Sequence, residues 1–243
     1  MKARSVQEGS VGGWLVKGVV LLVLGFVAFT ALLILVMRWV HLFSSAFMLS
    51  GKLNAVATHE AGYQTHYDWV DLEDISPHAA LAVIASEDQQ FPFHAGFDLK
   101  SIREAVRENA HRKRPRGAST ISQQVAKNLF LWNGASYVRK GIEVWLTVLI
   151  EALWPKERIL EVYLNISQFG HGVYGVEAAS VKFYRKHAAR LTRAEAATLA
   201  AVLPNPIRMH ADRPSAYVAS RRDWILGQMR GLGGSQYLEE VAP

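Results

Sequence analysis

The chain has 243 residues, no cysteine, 27 Lys and Arg against 21 Asp and Glu, and an apolar fraction of 50%. This composition excludes a disordered chain and a disulfide scaffold, and the lack of cysteine excludes thiolate nucleophiles and cysteine-containing zinc sites. The length is sufficient for one good-sized domain or two small ones with a buried core.

The first predicted element is a membrane anchor. Residues 18–37 carry no charge and lie between Lys17 and Arg38. A helix of about 20 residues that rises about 1.5 Å per residue covers the hydrocarbon thickness of a bilayer. The apolar run is longer than the core of a signal peptide, and Trp14 and Trp39 flank it like interfacial anchors. We therefore predict a single uncleaved transmembrane helix, with a buried core helix as the alternative.

The charge distribution predicts the side of the membrane that each part occupies. The segment before the apolar run has more basic than acidic residues, and positive charge stays in the cytoplasm. We expect a cytoplasmic N-terminus at residues 1–17, a signal anchor at 18–37 and an extracytoplasmic domain at 38–243. The modest basic excess of that domain favours an anionic lipid or lipid phosphate as partner. Its predicted compartment argues against nucleic acid.

Beyond the anchor, the sequence predicts an almost wholly α-helical domain. Residues 38–75 are interpreted as a juxtamembrane stalk and entry segment, with one short strand at 67–70. Ser76 followed by Pro77 is typical of a helix start, and this helix is expected to end near Glu87. Caps, capping boxes and turns predict further helices that begin after Asp98, Thr120, Ser136, Pro155, Gly175, Thr192 and Ser215.

The helix after Ser136 has the clearest apolar pattern. Its apolar residues recur at i, i+4, i+7, i+11 and i+15, a spacing that predicts one buried face. That face comprises Val138, Ile142, Trp145, Leu149 and Leu153.

Glu87 and Asp88 lie where a predicted helix meets the aromatic loop of residues 91–94. A carboxylate at such a junction is partly desolvated, which raises its pKa toward use as a general acid or base. The alternative, which this feature alone favours, is a solvated helix end. Taken alone, His94 and Asp98 are more typical of loop packing and helix capping than of proton transfer.

Two further groups of residues carry candidate chemistry. Residues 117–120 begin a helix, whose free N–H groups and positive dipole end form an anion site beside the cations of loop 112–116. A solvated loop or a nonspecific polyanion patch is the alternative. Arg139 and Glu143, one helical turn apart, are either a surface pair that contributes about 0.3–0.5 kcal/mol or groups at the edge of a cleft.

Four motifs occur in order between residues 87 and 165. They are E-D-x-x-F-x-x-H-x-G-x-D from 87, G-x-S-T-x-x-Q-Q from 117 (followed by Lys-Asn), R-K-x-x-E from 139, and K-x-x-I-L-E-x-Y-L-N from 156. In this combination the chain resembles glycosyltransferase family 51, the peptidoglycan glycosyltransferases, over roughly residues 45–230. The remaining length leaves no room for a transpeptidase domain, so we expect the monofunctional biosynthetic type.

The resemblance implies a mainly α, lysozyme-like domain that polymerises lipid II. Glu87 would deprotonate the 4-hydroxyl of the incoming GlcNAc, whose oxygen attacks C1 of MurNAc on the growing strand with inversion and loss of undecaprenyl diphosphate. Glu143 would be the second catalytic residue, by orienting cations or through a divalent ion such as Mg²⁺ or Mn²⁺. No nucleotide-sugar cofactor is expected. The implied substrate-binding residues are Asp88, Phe91, His94, Ser119, Thr120, Gln123, Gln124, Lys127, Asn128, Arg139 and Lys140.

The resemblance also implies a setting and leaves two rival functions. It implies a single-pass protein of the inner membrane with a periplasmic catalytic domain, whose partners are lipid II, the lipid-linked glycan and proteins of division or wall synthesis. Ala135 stands where many members carry arginine, so weaker donor binding is expected. The rivals are a lysozyme-like lytic enzyme, which needs no cationic diphosphate site, and a non-catalytic wall-assembly scaffold, which needs neither glutamate.

Overall fold

The computed structural model describes residues 11–109, 117–134 and 136–241. The described chain begins with α1 (Val11–Met37), which ends where the sequence predicted and begins several residues earlier. Its segment Gly13–Met37 is long and apolar enough to cross a membrane. The N-terminal apolar helix is thus confirmed as a candidate anchor.

The remaining domain is mostly helical, as predicted. Its helices are α2 (Ala46–Ala57), α3 (Pro77–Glu87), α4 (Leu99–Asn109), α5 (Ile121–Phe130), α6 (Tyr137–Leu153), α7 (Lys156–Ile166), α8 (Val176–Tyr184), α9 (Arg193–Val202) and α10 (Ala216–Gly231). Short 3-10 turns lie at Leu72–Asp74, Phe91–Phe93, Ala188–Arg190 and Gly234–Glu240.

Local capping chemistry fixes where these helices start. Thr120 and Thr192 each form the predicted capping box with a Gln or Glu three residues later. Ser136 accepts a hydrogen bond from the Arg139 amide at 3.1 Å. Each cap satisfies an amide that the helix itself leaves unpaired, which is why sequence located these starts.

One small sheet departs from the predicted pattern. β1 (His66–Tyr67) is shorter than the predicted strand at 67–70, and β2 (Gln168–Gly170) and β3 (Val173–Tyr174) form a hairpin that sequence predicted as a turn. The order is β1-β3-β2, with β1 parallel and β2 antiparallel to β3. Gly172 is required in this hairpin because its φ is +66° and a Cβ there would lie 2.3 Å from the Gln64 carbonyl oxygen.

Helix α3 is the centre of the core. Every residue from 79 to 85 is buried, and the helix packs against α9 and α10. A helix that is apolar on all sides belongs in a protein interior. Because α3 is held on all sides, its last residue, Glu87, has a fixed position.

The predicted buried face of α6 is confirmed in part. Val138 is 72% exposed, whereas the other four predicted residues are half-buried and pack against the core: Ile142, Trp145, Leu149 and Leu153. The most deeply buried residues of the helix are Glu143, Leu146, Thr147 and Ile150. The apolar stripe packs in part on α1, where Trp145 Nε1 donates to Thr30 Oγ1 at 3.3 Å. The apolar pattern therefore reflects contact with the anchor as well as with the core, and the most deeply buried face of α6 also carries Glu143.

Candidate active site

The carboxylate of Glu87 lies at the C-terminal end of α3. Its Oε2 accepts a hydrogen bond from Gln124 Nε2 at 3.0 Å, and its Oε1 lies 3.6 Å from Arg221 Nη2. The Glu87 side chain is only 16% exposed. The solvated helix end, the alternative left open from sequence, is therefore wrong.

The surroundings of Glu87 increase its proton affinity. Burial raises the pKa of Glu87 above the usual 4.5, and the neighbouring charge of Asp88 adds to the rise. Opposing contributions come from the Gln124 hydrogen bond and from the cations Arg221 and Lys127. The net result is a carboxylate with the raised pKa that general base catalysis requires.

A neutral side chain orients this carboxylate. Gln124 donates to Glu87 and accepts, through Oε1, a hydrogen bond from the Tyr163 hydroxyl at 3.3 Å. Tyr163 is fully buried, and burial raises its pKa well above the usual value, so it stays a donor. The chain of contacts fixes the amide flip of Gln124 with its NH₂ group toward Glu87.

Asp88 and His94 form a structural latch beside the site. Both oxygens of Asp88 lie 3.0 Å from His94 Nε2, and Oδ2 also accepts the Ile121 amide at the start of α5. His94 Nδ1 accepts from the Gly96 amide at 3.0 Å. A carboxylate at a helix N-terminus is stabilised by free amides and the helix dipole. The latch thereby joins α3 to α5.

Three residues predicted to bind substrate are buried in the described structure. Phe91 is completely buried, and Lys156 Nζ lies 4.6 Å from the centre of its ring. The side chains of Thr120 and Gln123 form the capping box of α5, and Thr120 Oγ1 also donates to the Gly96 carbonyl. The exposed fraction of each of these side chains is at most 4%, and the contacts described for them lie within the domain.

A cationic cluster surrounds the second glutamate. Arg139 Nη1 donates to Glu143 Oε2 at 2.9 Å, and Lys140 Nζ contacts Glu143 Oε1. The Glu143 side chain is 3% exposed, so the surface-pair interpretation is wrong. Lys140 is 45% exposed and directs part of this charge outward.

Lys127 couples the two glutamates electrostatically. Burial lowers the pKa of Lys127, opposed by the negative charges of Glu143 and Glu87. Its ammonium lies 5.3 Å from the centre of the Phe47 ring, a cation–π contact. Because Lys127 is partly desolvated, its interaction with a bound anion would be stronger than that of a solvated lysine.

The other predicted site residues differ in their exposure to solvent. Ser119 is exposed just before α5, and Asn128 is buried with an Oδ1 that has no hydrogen-bond partner in the described structure. Ala135 and the basic loop 111–116 lie outside the described residues. Arg221 and Tyr163 were missed as partners of the site; no motif marks Arg221, whereas Tyr163 stands in the fourth motif.

The residues around Glu143 do not fit a divalent cation. Its two oxygens are engaged by Arg139 and Lys140, and a metal there would face two positive charges. Within 11–109, 117–134 and 136–241, no three His, Asp or Glu side chains gather as a metal site. Even Mg²⁺, which keeps several waters and takes one or two carboxylates plus substrate phosphates, needs a carboxylate oxygen that is not already held by a cation.

Comparison with known proteins decides the family. Residues 54–230 match the model of a family described as Transglycosylase. The chain belongs to the transglycosylase family. This confirms the resemblance to family 51, the lysozyme-like fold and the prediction of an enzyme of the peptidoglycan glycosyltransferase class.

Several relatives resemble the chain over most of its length, and each is named a biosynthetic peptidoglycan transglycosylase. The protein of Mannheimia succiniciproducens is 54% identical over 89% of this chain and 88% of its own. That of Xanthomonas campestris is 52% identical over 88% and 87%. That of Yersinia pestis is 52% identical over 90% and 91%.

Proposed function

We propose that this transglycosylase polymerises lipid II into glycan strands at the outer face of the inner membrane. The observation that carries the proposal is the pairing of a desolvated carboxylate, Glu87, with a separate cation cluster around Glu143. A reaction that expels a diphosphate needs both a base for the nucleophile and positive charge for the leaving group.

In the proposed step, Glu87 takes the proton of the GlcNAc 4-hydroxyl of the incoming lipid II. The oxygen forms a bond to C1 of the terminal MurNAc, and the bond between C1 and the diphosphate oxygen breaks with inversion. The electron pair leaves on undecaprenyl diphosphate. Gln124 aims the Glu87 carboxylate, and its partial exposure permits the proton to leave for solvent.

The cations of the second cluster neutralise the departing diphosphate. Lys127, Arg139 and Lys140 surround Glu143, whose buried carboxylate holds the two α6 cations in place. We propose that Glu143 acts through these cations rather than through a metal. Ser119, exposed at the start of α5, adds a hydroxyl at a helix N-terminus where anions bind.

Nearby apolar surface supports a lipid-linked substrate. Tyr137 and Val138, which precede the two cations of α6, are 99% and 72% exposed. Together with the apolar α1, they suit a substrate whose charged diphosphate adjoins a prenyl chain. We propose a cytoplasmic N-terminus and a periplasmic domain, because the N-terminal segment is basic. Division or wall-synthesis proteins stay predicted partners.

Polymerisation of lipid II by the purified full chain in detergent tests the proposal. We expect diphosphate-linked glycan from the wild type and from a Glu73→Gln control, and none from Glu87→Gln. Soluble fragments released from preformed peptidoglycan would favour a lytic enzyme instead. A folded wild type without either activity would favour a scaffold.

A further inference from the structure

The anchor helix is fastened to the catalytic domain at its C-terminal end. Trp154 Nε1 donates to the Ile34 carbonyl at 2.6 Å, and Arg158 Nη2 donates to the carbonyls of Met37 at 2.8 Å and Val40 at 2.5 Å. The last carbonyls of a helix have no partner within it. Side chains of the domain therefore complete the end of α1.

Arg158 is itself held rigidly. It pairs with Glu161, and its guanidinium lies 5.0 Å from the Trp69 ring centre and 5.9 Å from that of Trp154. Its side chain is 9% exposed. Glu161 also accepts the Leu72 amide at 3.1 Å, which ties the junction into the domain core. A planar, stacked guanidinium with fixed partners leaves little freedom.

A reciprocal contact runs from the anchor to the domain. Arg38 Nη1 donates to the Leu153 carbonyl at 3.1 Å, at the C-terminal end of α6, where a cation also complements the helix dipole. Earlier on α1, Thr30 accepts a hydrogen bond from Trp145 of α6. The start of the predicted juxtamembrane stalk is therefore held against the domain.

Helix α6 connects this junction to the diphosphate site. Trp145 contacts the anchor, whereas Glu143, two residues earlier, holds the cations. Two residues correspond to about 200° around a helix, so the two side chains leave opposite sides of α6. One helix thus carries the contact with the anchor on one side and the cation cluster on the other.

We propose that Arg158 is a positioning residue that makes the anchor and the catalytic domain one rigid body, so that bilayer thickness sets the placement of the cation cluster at the membrane surface. The proposal rests on the proposed function, because it places that cluster against the diphosphate of a lipid. Helices meet hydrophobic mismatch by tilting. A flexible linker would absorb the tilt, whereas this junction transmits it.

Rigidity is tested first, without reference to activity. The chain has no cysteine, so spin labels at Leu24→Cys and Tyr217→Cys, both exposed positions, report one distance in nanodiscs. We expect a narrow distance distribution, broadened by Arg158→Met and unchanged by Arg213→Met at an exposed site. A broad distribution without further substitution, or no broadening in Arg158→Met, would overturn the proposal.

Coupling to the reaction is tested by lipid II polymerisation in vesicles of phosphatidylcholines with progressively longer acyl chains. We expect the wild-type rate to vary by about fivefold across the series and the Arg158→Met rate by less than about twofold, with equal rates in detergent. Arg158→Lys, which keeps the charge but not the planar fork, should lie between them. Equal thickness dependence in wild type and Arg158→Met would overturn the proposal.

Two controls separate the possible failures. If Arg158→Met does not fold by circular dichroism, Trp154→Phe replaces it, since it removes the donor to the Ile34 carbonyl and keeps an aromatic ring beside Arg158. Trp154→Phe should also weaken the dependence of the polymerisation rate on bilayer thickness, to a smaller extent than Arg158→Met. Full retention of this dependence would contradict a role of the junction. Absence of polymer from wild type in detergent would refute the proposed function while the distance measurement still reports on the junction.

Discussion

The two glutamates of the site are both largely buried, yet their neighbours differ in kind. Glu87 has a neutral amide at hydrogen-bond distance and one guanidinium at 3.6 Å, whereas Glu143 contacts two cations directly. Burial without full charge compensation leaves Glu87 with a raised pKa. Identical side chains are thereby suited to different tasks, one to accept a proton and one to hold cations in place.

The largest expected effect comes from removing the base. Glu87→Gln keeps the shape and the contact with Gln124 and cannot accept the proton. We expect the kcat for lipid II polymerisation to fall by roughly 10³-fold, within the range that general bases contribute. The circular dichroism spectrum should be the same as that of the wild type. A loss below tenfold would assign the base elsewhere.

Replacing the second glutamate should affect the fold as well as the reaction. Glu143→Gln leaves Arg139 and Lys140 without their counter-charge, at a cost of roughly 3 kcal/mol in the free energy of unfolding. Chemical denaturation measures this cost. The matched control is Glu177→Gln, another buried acid, which pairs with His187. Both variants should be destabilised, but only Glu143→Gln should lose turnover at a temperature at which both are folded.

Lys127 tests whether the two halves of the site are coupled. Lys127→Met removes a partly desolvated cation that both glutamates sense. We expect kcat/KM to fall by about tenfold or more, since hydrogen bonds to charged groups contribute about 1.5–3 kcal/mol each. Steady-state kinetics gives the value, and Lys127→Arg should retain part of the activity. A wild-type kcat/KM in Lys127→Met would show that Lys127 plays no part in the reaction.

The pH dependence should follow the environment of Glu87. The base must be ionised, so kcat/KM falls as the pH drops through its raised pKa, above the usual 4.5. Because Arg221 lowers this pKa, Arg221→Met should shift the acidic limb to higher pH. Arg222→Met, on the same helix and paired with Asp223, is the control. A downward shift in Arg221→Met would contradict the assignment.

The smallest expected effect is the change in unfolding temperature when Glu87 loses its charge. A carboxylate whose pKa is higher in the folded than in the unfolded state costs stability as the pH rises from the unfolded value through the folded one. Glu87→Gln should therefore raise the unfolding temperature at neutral pH by a few degrees. The difference should disappear below pH values near 4.5, where both side chains are neutral. Thermal scans at the two pH values measure it.

Sequence predicted what local chemistry determines. The capping boxes at Thr120 and Thr192, and the helix start at Ser76, are set by neighbours within a few residues. The junction at Glu87 was also located, but not its burial, because the helices that cover α3 come from distant parts of the chain. Arg221 was missed for the same reason.

The buried face of α6 could not be inferred from periodicity alone. An apolar stripe indicates an apolar neighbour, and here the neighbour includes the anchor helix rather than only the core. Arg158 stands at an unspecified position of the fourth motif, and the sequence did not indicate its contacts at the end of α1. The first case arises because the membrane and the protein interior favour the same residues. The second arises because the partners of Arg158 are 121 and 118 residues away in the sequence.

The division of labour between the two glutamates is tested most directly by equilibrium binding of undecaprenyl diphosphate to three proteins. We expect Glu87→Gln to bind undecaprenyl diphosphate within about twofold of wild type, because the base does not hold the leaving group. Arg139→Met should bind at least about tenfold more weakly, since it removes a cation next to Glu143. Equal weakening in both variants would contradict the separation of base and diphosphate site.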